Sequence, residues 1–497
     1  MSNELNIASL EEEGGGEKKQ AASLKWVAIS IAVGLAIWLI PTPEALGIRG
    51  HAFLALLTSV VILWTSEAIP IGVTSIGVGC AMIILQIQSA RAAWEPYANR
   101  TVVFVFFIIM LGVMLSQTTI PNRLMSYILK VGGTNVKRLS FTLCMGATFL
   151  AAWTHDATIT IILLYAMMPM FLKMGLTPDK SNSFTKHFMF IIPLGAACGG
   201  GATFLGSGRS PASAELLFKI TGYNIGFMEY MLYQFVPSLF LGVATWIAVW
   251  IFYPPKIKEL PAEIVVEKMP SMTKNEKVLS WILAGTFILW FMTDITKIHV
   301  SAIGGLFIVV CMMFNVVDWK RCLDEYPWNP IMVFGAGFSL GVAMLDTGAG
   351  KWIATQIFPI FTSSPWPVVA AGASALSAVI TSFMANAAAT ALLVPVVVPM
   401  ADMAGTPVAP IAMAVPLATT FVLLVIGCPP TLIAYGFGYF TQFEAFKILL
   451  FRSVIGIVVL SLVMALWYPL VGMPGNIDNM QTPAKLTPTG YELIVEK

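Results

Sequence analysis

The feature that most constrains this chain is the length of its uninterrupted apolar runs. Trp26–Ile40, Ala52–Ile69, Ile71–Ile87, Val102–Leu115, Tyr230–Tyr253, Val278–Met292, Val300–Phe314, Ile331–Leu345 and Leu449–Leu470 are nearly free of charge. Four longer blocks, Leu139–Leu172, Phe188–Ile220, Val368–Met400 and Ile411–Tyr439, are broken only by short polar or Gly/Pro-rich stretches. A helix needs about 20 apolar residues to cross the hydrocarbon core. Backbone groups cannot stay unpaired there, so each run must be helical. The short alternating segments of a membrane β-barrel are missing. Only 11% of residues are charged, against about 25% in an average soluble domain. The expected class is an all-α integral membrane protein whose first partner is the lipid bilayer. A net charge of +2 points to no nucleic-acid partner.

Several chemistries are excluded at once. There is no phosphate loop of the GxxxxGK[ST] kind, no zinc-ligand spacing and no nucleophile triad, so no enzyme is expected and no cofactor. Of six cysteines, Cys80, Cys144, Cys198, Cys311 and Cys428 lie inside apolar segments, without any CxxC. They read as small apolar residues of packed helices.

Polar segments divide the chain. Residues 1–24, with "EEEGGGEKKQ", read as a disordered tail. Trp26–Ile40 lacks a small-residue cleavage pattern, so it reads as a retained first helix, not a signal peptide. The first membrane half is 25–254, the linker 255–277, the second half 278–472, and a polar tail occupies 473–497. The linker contains Lys256, Lys258, Lys268, Lys274 and Lys277, and the N-terminal side of the first helix Lys18, Lys19 and Lys25. The positive-inside rule puts both in the cytoplasm. An even number of crossings must separate them. Six spans satisfy this if the block Leu139–Leu172 enters and returns without crossing. Five spans in the second half then put the C-terminus outside. The total is about 11 transmembrane helices plus two re-entrant hairpins.

The halves resemble each other. "NRTVVFVFFIIMLGVML" from Asn99 aligns with "NPIMVFGAGFSLGVAML" from Asn329, and Pro169-Met170 aligns with Pro399-Met400, both at an offset of 230 residues. At that offset Asp156 meets Asn386. An odd number of spans per repeat inverts one half relative to the other. Inverted repeats with interrupted helices at matching places mark secondary transporters with a midplane site.

Each half carries two interruptions. The first is a hairpin tip, His155-Asp156-Ala157 in one half and Ala385-Asn386-Ala387 in the other. The second is a helix break. It spans Cys198–Ser213 in the first half, with Gly206, Ser207, Gly208 and Arg209, and Val425–Ala434 in the second, with Gly427, Cys428, Pro429, Pro430 and Thr431. Such irregular backbone must line a cavity or meet partners. Half-helix N-termini carry partial positive charge and suit carboxylates. An ionisable side chain inside the membrane costs about 2.5–3.5 kcal/mol on insertion scales and is a functional candidate by default. His155, Asp156 and Arg209 are such residues. Their plainer readings are a hydrogen-bonded turn for the pair and snorkelling for the arginine. Glu67 reads as a span end, and His51, His187 and His299 as surface residues near helix ends. The glycine run Gly199-Gly200-Gly201 could serve only close packing.

With these motifs in place, the chain from Lys25 to Met473 resembles the divalent anion–sodium symporter family of dicarboxylate carriers. Members carry two Ser-Asn-Thr tips and two Gly/Pro-rich breaks. The resemblance implies a homodimer of scaffold and transport domains working as an elevator, with substrate held by the tips and breaks listed above. It also implies that tip and break oxygens hold Na⁺ in sodium-coupled members. Here the first tip reads His155-Asp156-Ala157, and the second keeps only Asn386. A protonated His155, or Arg209 in bidentate fashion, could supply the charge an ion supplies elsewhere. Thr381, Asn386 and Gly427 remain a candidate residual cation site. The expected activity is sodium-independent exchange of C4–C5 dicarboxylates such as succinate, malate or 2-oxoglutarate across the plasma (inner) membrane. The rivals are a sodium-coupled dicarboxylate symporter, an anion channel and a non-transporting membrane scaffold.

Overall fold

The computed structural model describes residues 23–260, 271–361 and 363–474. The expectations for most of the N-terminal tail, the middle of the linker and nearly all of the C-terminal tail fall outside these residues. The described chain is helical, with one isolated bridge between Asn135 and Glu259. The first half runs α1 Leu24–Leu39, α2 Gly47–Ser66, α3 Ile71–Ile84, α4 Ala90–Trp94, α5 Arg100–Ser116, α6 Ile120–Gly132, α7 Val136–Ala151, α8 Asp156–Lys173, α9 Ser183–Gly200, α10 Arg209–Thr221 and α11 Phe227–Phe252. The second runs α12 Lys274–Phe291, α13 Thr293–Thr296, α14 Val300–Met313, α15 Trp319–Asp324, α16 Trp328–Asp346, α17 Ala349–Ile357, α18 Trp366–Thr381, α19 Asn386–Met403, α20 Val408–Ala418, α21 Pro429–Gly436 and α22 Gln442–Leu470. Seven helical stretches among the described residues are long and apolar enough to cross a membrane, and five shorter helices are also apolar.

The offset read from sequence reappears in the helix bounds. α18 begins and ends 230 residues after α7, and α19 begins and ends 230 residues after α8. α6 and α17 are amphipathic helices at corresponding places, absent from the sequence reading. Ile120, Leu124, Ile128 and Val131 in α6 recur at helical spacing opposite Arg123, Ser126 and Lys130. That 3.6-residue period was the available signal.

Polar contacts sort helix ends onto two faces. On the linker face, Val136 N–H donates to Lys258 O at 2.9 Å and Leu260 N–H to Thr134 O at 2.8 Å. Glu276, in the first turn of α12, accepts from Thr119 N at 2.6 Å. Lys186 of α9 pairs with Glu444 of α22 at 2.6 Å, and the Tyr253 hydroxyl reaches Glu444 O at 3.5 Å. At the other end of α22, Trp467 Nε1 donates to Leu232 O near the start of α11, at 2.9 Å. α11 and α22 therefore run antiparallel. Asparagine and threonine caps set several of these starts. Asn182 and Thr185 form a reciprocal capping box on α9, as Thr441 and Glu444 do on α22.

The centre is built from helices that are apolar all round. Every residue of α20 is buried, and so is nearly all of α9. Such helices belong in an interior. Two sequence expectations fail here. His187 is fully buried, bonded to Ser140 Oγ at 2.8 Å and Tyr253 O at 3.0 Å. His51 is also buried, between Thr42 Oγ1 at 2.9 Å and Ile37 O at 2.8 Å. Both lie near helix ends, as expected, but neighbouring helices cover them and supply acceptors. The linker is also shorter than 255–277, because Thr273 caps α12 and the helix starts at Lys274.

Candidate functional site

The two tips are built alike. α7 ends at Ala151 and α8 restarts at Asp156; α18 ends at Thr381 and α19 restarts at Asn386. The breaks lie against them. α9 stops at Gly200 and α10 begins at Arg209; α20 stops at Ala418 and α21 begins at Pro429. Glycine permits this approach. A Cβ on Gly206 would press into the Ala151 carbonyl, and one on Gly427 would collide with the Thr381 carbonyl. Ala151 and Thr381 are the last helical residues before the two tips. A Cβ on Gly200 would strike Asp156 and Arg209 themselves.

Arg209 is the hub. It is fully buried and Asp156 nearly so. Its Nη2 donates to Ala197 O at 2.5 Å and lies 3.5 Å from Asp156 Oδ2. With the Asn386 amide turned to satisfy both its ends, the amide oxygen accepts from Arg209 Nη1 at 2.7 Å. One guanidinium thus holds the equivalent residues of both halves, Asp156 and Asn386. Arg209 Nε has no hydrogen-bond partner among the described residues. The first tip is pinned further by Asp156 N–H to Gly206 O at 3.0 Å and by Ala157 N–H to Asp156 Oδ1 at 2.8 Å. His155 is half-buried, its Nδ1 3.5 Å from Asp156 Oδ1. The snorkelling alternative for Arg209 fails, because its head is inside. The Asp156 carboxylate balances the guanidinium, so this trio carries surplus charge only when His155 is protonated.

The other predicted residues are unevenly placed. Cys428 Sγ lies 3.4 Å from the Asn386 amide, and Ser207 is buried at the first break. Ala157 and Ala387 flank the tips, each partly exposed. Gly208 caps α10. Thr431 turns inward on its own break, donating to Val425 O at 2.9 Å and Cys428 O at 2.7 Å. Pro430 is buried, but Pro429 is exposed.

The residual cation set does not fit an ion as arranged. Thr381 Oγ1, Thr419 O and Gly427 O lie 2.8, 2.9 and 2.9 Å from the nitrogen of the Asn386 amide. The amide donates to these oxygens and fills the place between them. A cation there would need the amide oxygen turned inward.

A cavity of about 400 Å³ lies elsewhere, lined by Arg100, Phe104, Glu215, Glu229, Lys297 and His299. Pro211 and Ala214 of α10 also line it, so the shaft of α10 connects it to Arg209. The site is assigned to the tips because buried charge and both halves converge there. Sequence reasoning missed Arg452, Thr419 and Thr420. Arg452 is the cation inside the apolar run Leu449–Leu470 of α22, so the rule that picked out Asp156 and Arg209 applied to it equally.

Comparison with known proteins places this geometry. The sequence profile of the sodium:sulfate symporter transmembrane region matches residues 21–473. An uncharacterized transporter of Haemophilus influenzae is 24% identical over 429 residues, covering 83% of this chain and 91% of that protein. The chloroplastic dicarboxylate transporter 1 of Spinacia oleracea is 25% identical over 354 residues, 69% of this chain and 62% of that protein. The sodium-dependent dicarboxylate transporter SdcS of Staphylococcus aureus is 20% identical over 463 residues, 86% of this chain and 88% of that protein. Among solved structures, Neisseria gonorrhoeae MtrF, described as an antimetabolite efflux pump, superposes with a TM-score of 0.52 at 12% identity, over 94% of this chain and 99% of that one. At that identity the likeness concerns the fold alone.

Proposed function

The chain belongs to the sodium:sulfate symporter transmembrane family, the divalent anion–sodium symporters that carry dicarboxylates, and from that premise we propose that it exchanges C4–C5 dicarboxylates without sodium, as a homodimer of scaffold and transport domains. The observation that carries this reading is Arg209, a fully buried guanidinium held by the equivalent residues of two similar halves. Four helix N-termini, those of α8, α10, α19 and α21, belong to the same tips and breaks. Their partial positive ends favour carboxylates. A substrate carboxylate at Arg209 would satisfy its unpartnered Nε and exploit the planar fork of donors. The second carboxylate would face the other tip and break, around Ala387 and Cys428.

Sodium coupling is the second reading, supported by the similarity to the sodium-dependent SdcS, and it requires the Asn386 amide to turn its oxygen inward. The two readings part in reconstituted vesicles loaded with succinate. Uptake of labelled succinate should keep its rate when external Na⁺ is replaced by K⁺ or choline. A many-fold fall without Na⁺ would establish the symporter instead. A panel of unlabelled dicarboxylates in the same assay ranks succinate, malate and 2-oxoglutarate as counter-substrates.

The reading includes an orientation in the plasma membrane, with the N-terminal tail and linker inside and the C-terminal tail outside. The antiparallel pair α11 and α22 supports it, since α11 ends and α22 begins at the linker face. Lys268→Cys should react with an impermeant maleimide only from the cytoplasmic side, and Asn476→Cys only from outside. Labelling of both from one side would contradict this arrangement.

A further inference from the structure

The second buried arginine has a less obvious purpose. Arg452 is 1% exposed within α22. Its Nε donates to Thr245 Oγ1 at 3.1 Å and its Nη2 to Cys198 Sγ at 3.0 Å, while its Nη1 donates to Thr420 O. The guanidinium lies 5.2 Å from the centre of the Phe421 ring. Among the described residues no carboxylate comes within ion-pair distance of it. Two of its partners, Cys198 and Thr420, sit where the interrupted helices stop. Cys198 is in the last turn of α9, and Thr420 lies two residues beyond α20. Helix C-termini carry partial negative charge and expose unpaired carbonyls, so a cation between them is well placed.

The contacts interleave with those of the tips. Ala197 O accepts from Arg209 while the next residue, Cys198, accepts from Arg452. Thr419 O accepts from Asn386 while the next residue, Thr420, accepts from Arg452. The contacts of the two arginines are thus one residue apart on α9, and just beyond α20 those of Arg452 and of Asn386, the partner of Arg209, are one residue apart. The cluster thus holds two guanidiniums and one carboxylate, Asp156, which pairs with Arg209. The buried cluster therefore carries one surplus positive charge, or two with His155 protonated. A neutral amide could hydrogen-bond some of the same acceptors without the desolvation cost of an ion. That cost makes the charge itself the informative feature.

We propose that Arg452 is a positioning residue for dianion binding, a fixed cation that acts on the substrate through the ends of α9 and α20 without touching it. This rests on the reading that a dicarboxylate binds at the tips. A field effect and a purely structural clamp differ in one respect: Coulomb energy scales with ligand charge, whereas a clamp is indifferent to it. The test compares succinate with its singly charged monoamide, succinamate, by calorimetry on the purified full-length protein. Arg452→Gln should weaken succinate binding by roughly tenfold and succinamate binding by only about threefold, because halving the charge halves the logarithm. Arg452→Lys, which keeps the charge, should stay within about threefold of the unaltered protein for both. Equal losses for the two ligands, or no loss, would overturn the proposal. If Arg452→Gln does not fold, a tenfold or greater loss of succinate affinity in Arg452→Lys does the same. Arg209→Gln is measured alongside. If it binds succinate normally, the site reading itself has failed, whatever Arg452 does.

Discussion

Arg209→Gln is expected to weaken dicarboxylate binding by at least a hundredfold and to stop exchange. Hydrogen bonds to charged groups contribute about 1.5–3 kcal/mol each. A bidentate carboxylate contact therefore represents about 3–6 kcal/mol, and each 1.4 kcal/mol is tenfold in affinity. The substitution also removes the partner of Asp156, which is 2% exposed. Breaking a buried pair from one side costs about 3–5 kcal/mol of stability, so loss of function alone could reflect loss of fold. Adding Asp156→Asn separates the two effects, because the second half already carries asparagine at the corresponding position, Asn386. The double variant should recover thermal stability close to the parent while still failing to bind succinate in calorimetry. Recovery of binding with stability would show that Arg209 serves the fold and not the substrate.

Net uptake into empty vesicles should run roughly a hundredfold slower than uptake into succinate-loaded vesicles. The reason is the uncompensated charge of the unloaded cluster. Arg209 is balanced by Asp156, so the surplus resides on Arg452 and on His155 when it is protonated. Carrying one such charge through a low-dielectric region adds about 3 kcal/mol to the barrier, which is about a hundredfold in rate. With His155 protonated the surplus is two charges, which a bound dianion cancels, so the loaded carrier moves in either direction. Equal rates into empty and loaded vesicles would refute this electrostatic account of exchange.

The sequence made the membrane class, the helix positions and the pairing of halves legible for local reasons. Apolar runs of spanning length leave helices as the only permitted backbone, and a fixed offset linking Asn99 to Asn329 and Pro169 to Pro399 needs no coordinates. The bounds of α7, α8, α18 and α19 keep the same offset. Asp156 and Arg209 stood out because charge in an apolar block is costly wherever it lies. Arg452 was equally visible by that rule, yet α22 has no break to draw attention to it.

Whether a polar residue near a helix end faces water or an interior depends on which neighbours cover it, and spacing along the chain is silent on that. His187 and His51 are buried because other helices lie across them. The partners of the charges were hidden for the same reason. Arg209 meets Asp156 and Asn386, 53 residues before it and 177 after, only because glycines let the two breaks press against the two tips. Sequence alone determined that charges would be buried in this membrane protein. Only the tertiary structure decided which of them cancel, because electrostatic energy depends on distances between atoms that the chain brings together from opposite halves.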